Sequence, residues 1–127
     1  MKYVVNIQSM DPDLDPRSLR DRIKNREKAV LRDTHYMINP KTEGCESRRL
    51  TLGHTIIYPT GTTTGHSHDD MEEVYYVVMG EGTMVVGEDE FEIKQGDALY
   101  VPPGVFHTTK QAGNLPLIVV WVTCKLD

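Results

Sequence analysis

The sequence predicts an all-β protein: a single antiparallel β-barrel with a short helical segment at its N-terminus. Short runs rich in β-branched and aromatic residues recur from residue 48 onward, and turns containing glycine or proline separate them. No stretch of helical length lies between these runs, which argues against a parallel sheet. Because 127 residues suffice for one hydrophobic core, we expect one domain, with an N-terminal arm over about residues 1–47 and a barrel over about 48–124.

The N-terminal arm is predicted to contain a helix that begins at Asp15. Its carboxylate can cap the first turn, and Pro16 is favoured at the first helical position. The region ends at Asn39, because a residue that precedes a proline avoids the helical conformation. The apolar residues at helical spacing are Leu19, Ile23 and Val30.

The barrel is predicted to contain six strands, at residues 48–58, 73–79, 83–86, 90–93, 98–101 and 116–124. The turns between them fall at 59–61, 80–82, 87–89 and 95–97. Strands at such close spacing are typical of an antiparallel sandwich or barrel.

Charge is distributed unevenly along the chain. The net charge of −5 argues against a nucleic-acid partner, since phosphate binding relies on a basic surface. Seven basic residues nevertheless fall within 17–32, whereas 69–97 holds ten acidic residues and one lysine. We interpret the basic run as a solvated helix face; the alternative is a segment that packs against an acidic barrel in the same chain or in a partner subunit.

Other classes of protein are disfavoured by what the sequence lacks. No apolar stretch reaches the length of a membrane helix or a signal-peptide core, so we expect a cytosolic protein that does not bind membranes. Cys45 and Cys124 have no metal or redox spacing and are expected to be buried free thiols. There is no GxSxG motif and no phosphate-binding glycine loop, which argues against a serine hydrolase and a nucleotide cofactor.

One group of residues has the composition of a metal site. His66 and His68 are separated by one residue, so on an extended strand both imidazoles project from the same face. Glu73 opens the most strand-like run and offers the oxygen ligand that a divalent ion takes beside neutral imidazoles. His107 follows the rigid bend at 102–104, which can direct it back into the barrel. Each of these residues alone is more often a surface or loop residue than a metal ligand, and only their combination favours a metal site.

The spacing of these residues resembles the two short motifs of the cupin superfamily. In the first motif, His66-Ser67-His68 is followed by four residues, Glu73, six residues and Gly80. The motif's leading glycine would fall at Thr60, with Gly61 one place late. In the second, Gly96 is followed by five residues, Pro102, Pro103, Gly104, two residues and His107, and the family's trailing asparagine is replaced by Gln111. The resemblance spans residues 60–111.

The resemblance implies a double-stranded β-helix, or jelly roll, in which His66, His68, Glu73 and His107 bind one divalent metal and leave positions open for substrate. Three nitrogen ligands and one oxygen ligand favour Fe or Mn, with Zn, Ni or Cu as alternatives. Small cupin-like barrels commonly associate, so a homodimer is expected.

The function predicted first is an oxygen-dependent oxidation of a small oxygen-bearing metabolite, as in a dioxygenase. The alternatives are a metal-assisted isomerase or decarboxylase of a sugar or keto acid, and a binding module without turnover. Tyr75 and Gln111 are the candidate catalytic residues, because each shares strand parity with a ligand. Val77 is expected to fill the barrel, and His35 and His54 are expected to be structural or surface histidines. The aromatic residues that would form either a cavity wall or core are Tyr58, Tyr100, Phe106 and Trp121.

Overall fold

The computed structural model describes residues 3–13 and 31–126. A 3-10 turn at Ile7–Ser9 precedes eight strands. In chain order these are β1 (Arg32–Ile38), β2 (Leu50–Ile57), β3 (Met71–Met79), β4 (Glu81–Val86), β5 (Asp89–Lys94), β6 (Ala98–Val101), β7 (His107–Ala112) and β8 (Leu117–Lys125). The predicted helix from Asp15 and the basic run fall mostly outside the described residues. No helix in the described ranges is long and apolar enough to cross a membrane.

The strands form two antiparallel sheets. The larger sheet has the order β1-β2-β8-β3-β6 and the smaller one the order β5-β4-β7. Two isolated bridges, between Thr62 and Lys110 and between His66 and His107, add the connection before β3 to the edge of the smaller sheet. The all-β antiparallel architecture predicted from the sequence is confirmed.

Alternation of side chains divides each strand of the larger sheet into an inner and an outer face. On β3, Glu73 and Val77 are buried, whereas Val74, Tyr76 and Val78, which have the opposite strand parity, are exposed. This pattern agrees with the predicted parity and with the expected filling role of Val77. The buried apolar core between the sheets consists of Ile57, Val77, Met84, Ile93, Val101, Leu117, Val119 and Trp121.

Two strands differ from the prediction. β1, at Arg32–Ile38, lies in a part of the chain assigned to the N-terminal arm, and it pairs with β2 along most of its length. β7, at His107–Ala112, was not among the six predicted strands. The inner residues of both strands are largely polar, so neither shows the apolar alternation that identifies a half-buried strand. The sheets therefore begin upstream of the predicted boundary at residue 48.

The two cysteines are free thiols, as expected, although both are half-buried rather than buried. Of the four aromatic residues singled out, Trp121 is buried in the core, whereas Tyr100 and Phe106 are about half exposed. Tyr58 is half-buried and donates a hydrogen bond to Oδ2 of Asp33 at 3.0 Å.

Candidate metal centre

The four predicted ligands come from three separate parts of the chain. Glu73 lies on the inner face of β3, His107 begins β7, and His66 and His68 lie in the connection between β2 and β3. The backbones of His66 and His107 are joined by two hydrogen bonds, 3.1 Å and 2.9 Å long. The amide of Gly104 donates to the carbonyl of His68 at 2.6 Å. The two sequence motifs are thus held together by main-chain pairing, independently of any ion.

This pairing brings the ligand side chains into one cluster. One ligand atom from each of His66, His68, Glu73 and His107 lies within 4.8 Å of the others. The ring centroid of His66 is 4.6 Å from that of His68 and 4.4 Å from that of His107. Nε2 of His107 lies 3.0 Å from Oε2 of Glu73. The cluster could therefore hold a metal ion.

The buried polar atoms of the cluster fit such an ion. Glu73 is 4% exposed and His107 is 2% exposed. Oε2 of Glu73 and Nε2 of His107 are buried, and despite their proximity neither has a partner with hydrogen-bond geometry. Buried polar atoms without partners cost free energy, and a cation would supply the missing interaction for both. On the other side of the His107 ring, Nδ1 lies 3.3 Å from the carbonyl of Val105, which fixes the ring orientation.

The imidazoles differ in their affinity for protons. Desolvation of the His66 ring, followed by the neighbouring His107 and His68, lowers the pKa of His66 to about 4. The charge of Arg32 acts in the same direction, so this guanidinium is within electrostatic reach of the cluster. For His107, burial favours the neutral form, but the adjacent Glu73 outweighs it and raises the pKa. His66 is therefore ready to bind a metal at neutral pH, whereas His107 attracts a proton when no cation stands beside Glu73.

The cluster opens onto a cavity of about 450 Å³ inside the barrel. His66, His68 and Glu73 line it together with Tyr75 and Trp121. The rest of its wall is rich in hydroxyl groups, contributed by Thr34, Thr51, Thr55, Thr63, Thr64, Thr109 and Thr123. A cavity of this size accommodates a small metabolite.

The two candidate catalytic residues have different surroundings. Tyr75 lines the cavity, and its ring centroid is 6.1 Å from that of His107. Burial, the charge of Glu73 and a hydrogen bond to Glu73 raise the pKa of Tyr75 well above its usual value. Gln111 is 5% exposed and is absent from the cavity wall. The side-chain oxygen of Gln111 accepts a hydrogen bond from the main-chain N–H of Thr60, and its Nε2 donates to the carbonyls of Gly113 and Leu115. Because these contacts occupy the side chain away from the cavity, they do not support the catalytic role suggested by strand parity.

Sequence reasoning missed one part of the site, the inner face of β1. Arg32 belongs to the basic run that is predicted to form a solvated helix face, yet it is only 9% exposed and lines the cavity. Thr34 and Tyr36, two and four residues further on, line it as well. The signal available in the sequence was the alternation of Arg32, Thr34 and Tyr36 with period two. That signal is weak because all three side chains are polar or amphipathic.

His35 and His54 lie on the opposite face of the same sheet. They are direct partners in the pairing of β1 with β2, and their ring centroids are 6.3 Å apart. Desolvation and the neighbouring His35 lower the pKa of His54. Neither residue lines the cavity or belongs to the ligand cluster.

The motif glycines occupy positions that require glycine. Gly80 has φ of +86°, and a Cβ there would lie 2.3 Å from the carbonyl oxygen of Pro116. Gly96 and Gly104 also have positive φ, of +92° and +74°. Thr60, where the first motif usually begins with glycine, has φ of 70° and is the one non-glycine residue with positive φ in the described ranges. At the position of the motif's leading glycine, this chain therefore has a β-branched residue in the left-handed region.

Comparison with known proteins agrees with this fold and cluster. A family model described as a cupin domain matches residues 53–123. The chain is 33% identical over 60 residues to an oxalate-binding protein of Thermotoga maritima, covering 46% of this chain and 50% of the relative. It is 35% identical over 82 residues to a glucose-6-phosphate isomerase of Thermococcus litoralis, covering 54% and 43%. The chain thus spans about half the length of these curated relatives.

A solved structure gives the same result at the level of the fold. A predicted oxalate decarboxylase from Thermotoga maritima superposes with a TM-score of 0.67 at 21% identity, covering 75% of this chain and 81% of that one. The family model matches more than half of the chain, including all four clustered residues and both motifs. This protein belongs to the cupin family.

Proposed function

We propose that this chain is a metal-dependent enzyme that acts on a small oxygen-bearing metabolite within the barrel. The observation that carries the proposal is the position of the ligand cluster at the wall of a cavity of about 450 Å³. Structural metal sites are closed by protein ligands, whereas catalytic sites keep positions open. A cluster of three imidazoles and one carboxylate beside a cavity fits the second kind.

His66, His68, Glu73 and His107 would hold the ion, with Fe or Mn favoured and Zn, Ni or Cu as alternatives. A divalent ion bound there supplies Lewis-acid polarisation of substrate oxygen atoms. The Tyr75 phenol, kept protonated by burial and by Glu73, lines the cavity and can transfer its hydrogen bond from Glu73 to a substrate oxygen. Trp121 and Val119 supply apolar surface to the cavity wall.

Of the three candidate functions, a redox-neutral isomerisation or decarboxylation has the most support. The support is the relative named a glucose-6-phosphate isomerase together with a proton-bearing phenol beside the ligand cluster. Oxygen-dependent oxidation is the second candidate, favoured by a nitrogen-rich ligand set that suits Fe(II). A binding module without turnover is the third, favoured by the relative named an oxalate-binding protein.

The metal assignment is tested by metal analysis of purified protein. We expect about one equivalent of a divalent first-row metal per chain in the wild type and less than about a tenth of that in a His66→Ala, His68→Ala double variant. His54→Ala is the matched control, because this histidine lies outside the cluster and should leave the metal content unchanged. Equal metal content in the double variant and the wild type would refute the site.

The reaction class is tested with the metal-loaded protein and a panel of keto acids and aldoses in deuterated buffer. Deuterium incorporation next to a carbonyl, or loss of carbon dioxide, without oxygen consumption would support redox-neutral chemistry. Stoichiometric oxygen consumption by the reduced, iron-loaded protein would support the oxidation instead. Tight binding with neither readout would favour the binding module.

The expected homodimer is also a proposal, with the outer face of β3 and β6 as its interface. Val74, Tyr76 and Val78 are 46%, 51% and 43% exposed, and Tyr100, the β6 partner of Val74, is 50% exposed. A continuous apolar surface of this kind is typical of subunit contacts. Light scattering of the wild type and of a Val74→Lys, Tyr76→Lys variant tests it: a dimer should become a monomer, and an unchanged mass would rule out this interface.

A further inference from the structure

We propose that the cavity binds a ligand with a hydroxylated carbon chain, and that the hydroxyl groups of Thr51 and Thr123 recognise this chain beside the ring of Trp121. The inference rests on the proposed function, because it names the substrate class of the same cavity. It goes beyond that function by assigning two specificity residues, on β2 and β8, two strands that carry none of the four metal ligands.

Thr123 and Thr51 continue a row that begins at the metal ligand Glu73. In the register of the larger sheet, Glu73 of β3 lies directly opposite Thr123 of β8, and Thr123 lies opposite Thr51 of β2. Directly opposite residues project from the same face of a sheet, with their Cβ atoms about 4.5–5.5 Å apart, and all three residues line the cavity. The other buried residues of β8 are apolar, namely Leu117, Val119 and Trp121. The strand thus carries a buried hydroxyl at the position opposite Glu73.

Most of the threonines that line the cavity use their hydroxyl groups within the protein. The hydroxyls of Thr34 and Thr55 are 3.0 Å apart and share a hydrogen bond. The hydroxyl of Thr109 donates to Sδ of Met84 at 2.8 Å. The hydroxyl of Thr63 accepts from the main-chain N–H of Thr109 at 2.9 Å. These four hydroxyls are therefore occupied by contacts that hold the barrel together.

The hydroxyls of Thr51 and Thr123 have no hydrogen-bond partner in the part of the chain that the structure describes. Thr123 is only 5% exposed, and Thr51 is half-buried, whereas Thr64, the remaining threonine of the wall, is exposed. Oγ1 of Thr123 is not among the fully buried atoms without partners, so it opens onto the cavity. Sheltered hydroxyls of this kind gain free energy when a ligand supplies their hydrogen bonds.

Trp121 supplies an apolar surface next to these hydroxyls. It lies two residues before Thr123 on β8, and its ring packs over Gly53 on the neighbouring strand. The indole Nε1–H donates to the hydroxyl of Thr55 at 3.0 Å, and the ring of Tyr36 meets that of Trp121 edge-on at a centroid distance of 5.4 Å. Because its one donor is already used, Trp121 offers the cavity apolar ring surface alone.

This combination of groups fits a hydroxylated chain better than other ligands. A ligand hydroxyl both donates and accepts, as a threonine hydroxyl does, whereas a carboxylate only accepts. An apolar chain would leave both sheltered hydroxyls without partners. The C–H groups on the other side of a hydroxylated chain are positively polarised and pack well on an aromatic ring, whose face is negative.

The test is a fluorescence titration of the metal-loaded protein, in which Trp121, the single tryptophan of the chain, reports on the cavity. The matched probes are D-gluconate and 2-hydroxyhexanoate, which share their chain length and a 2-hydroxycarboxylate group that can reach the metal. They differ only in the hydroxyl groups along the rest of the chain. We expect D-gluconate to bind at least about tenfold more tightly, which is the order of magnitude that two uncharged hydrogen bonds contribute.

Variants assign this preference to the two threonines. Thr123→Val and Thr51→Val each remove one hydroxyl at nearly constant shape and should each reduce the preference by about fivefold. Thr123→Ser, which keeps the hydroxyl, should retain most of it. Thr83→Val is the matched control, since Thr83 is a half-buried residue of β4 that does not line the cavity. The metal content should equal that of the wild type in every variant, because none of these residues belongs to the ligand cluster.

Several outcomes would overturn the assignment. Equal affinities of the wild type for the two probes would do so, and so would an unchanged preference in both valine variants. Tighter binding of 2-hydroxyadipate than of D-gluconate would replace the hydroxylated chain by a second carboxylate. If Thr123→Val does not fold, Thr51→Val, at a half-buried position, carries the test.

The metal-free protein separates this inference from the proposed function. If the purified protein holds no metal, the proposed function fails. The same titration of the metal-free protein still tests the hydroxyl site: a preference for D-gluconate that Thr123→Val removes would support it, and equal affinities would overturn it.

Discussion

The main-chain amide of Thr60 donates a hydrogen bond to Oε1 of Gln111, and the two atoms are 2.9 Å apart. These are the two positions at which the chain departs from the cupin motifs. A second hydrogen bond reinforces this contact: the main-chain N–H of Gln111 donates to the carbonyl of Gly61 at 3.0 Å. The side chain of Gln111 thus anchors a turn in which Thr60 adopts φ of 70°. The two departures from the motif meet in one structural unit.

This relationship predicts that Thr60→Gly stabilises the protein. A β-branched residue with positive φ is strained by about 1–2 kcal/mol, whereas glycine there costs roughly 0.5–1 kcal/mol of additional unfolded-chain entropy. We expect the free energy of unfolding to rise by about 0.5–1 kcal/mol, measured by chemical denaturation. Thr60→Ala, which keeps the strain, should give no gain. Destabilisation by Thr60→Gly would contradict this account of the turn.

Gln111→Ala should destabilise the protein without removing the metal. The substitution deprives the amide of Thr60 and the carbonyls of Gly113 and Leu115 of their partner, which costs about 1–3 kcal/mol. Denaturation midpoints and metal analysis of the same samples are the two measurements. Gln111→Asn, which restores the residue typical of the family, is shorter and should lose part of this stability. If Gln111→Ala left the free energy of unfolding unchanged but abolished turnover, Gln111 would have a catalytic role.

Glu73→Gln should lower stability both in the absence and in the presence of metal. Without metal, Oε2 of Glu73 lies 3.0 Å from Nε2 of His107 and favours the protonated imidazole, so the neutral amide should weaken this buried pair and lower stability. With metal at about 100 times its dissociation constant, the wild type should gain about 2.7 kcal/mol and the variant much less. Thermal denaturation with and without a chelator measures both effects. Equal stabilisation of wild type and variant by metal would exclude Glu73 as a ligand.

Gly53→Ala should disturb the cavity wall. A Cβ at this position would lie 2.0 Å from an atom of the Trp121 ring, which packs directly over the glycine. Because the ring would have to move, we expect a loss of about 1–3 kcal/mol and a shift of the Trp121 emission. The indole N–H resonance should move as well, since its hydrogen bond to Thr55 depends on the ring position. An unaltered resonance would show that the ring does not rest on Gly53.

Alkaline pH should reveal the bond between Tyr58 and Asp33. Burial, followed by the hydrogen bond and charge of Asp33, raises the pKa of Tyr58 to about 12. A raised folded-state pKa adds stability that is complete below the unfolded value near 10 and is lost as the pH rises toward 12. After allowance for solvent screening, we expect this loss to be about 1 kcal/mol. Tyr58→Phe should lack this component between pH 10 and 12; parallel pH profiles for the two proteins would disprove it.

Sequence reasoning performed best where side chains follow a strong local rule. The predicted strand at 98–101 coincides with β6, Ala98–Val101, and the strand at 73–79 lies within β3, Met71–Met79. These segments carry the apolar alternation or turn residues that define a half-buried strand. It performed worst at β1 and β7, whose inward residues include Arg32, Thr34, His107 and Gln111.

The failures at β1 and β7 have one physical cause. A strand whose inner face carries hydroxyl, imidazole, amide and guanidinium groups, whether they line the cavity or support a turn, has a sequence that resembles a loop or a solvated helix. Arg32 is the clearest example, because a positive charge in a run of basic residues is usually exposed, and only its place in the sheet buries it. Functional sites are where local patterns and the fold are expected to disagree.

The sequence by itself determined the all-β class, the family resemblance and the identities of the four clustered side chains, because strand alternation, turn chemistry and motif spacing are local properties. Only the tertiary structure decided that β1 completes the larger sheet, that Arg32, Thr34 and Thr55 form a row inside the barrel, and that Gln111 supports a turn instead of facing the cavity. The reason is that these relationships join residues far apart in the chain, and their positions depend on strand order and register, which no local pattern encodes.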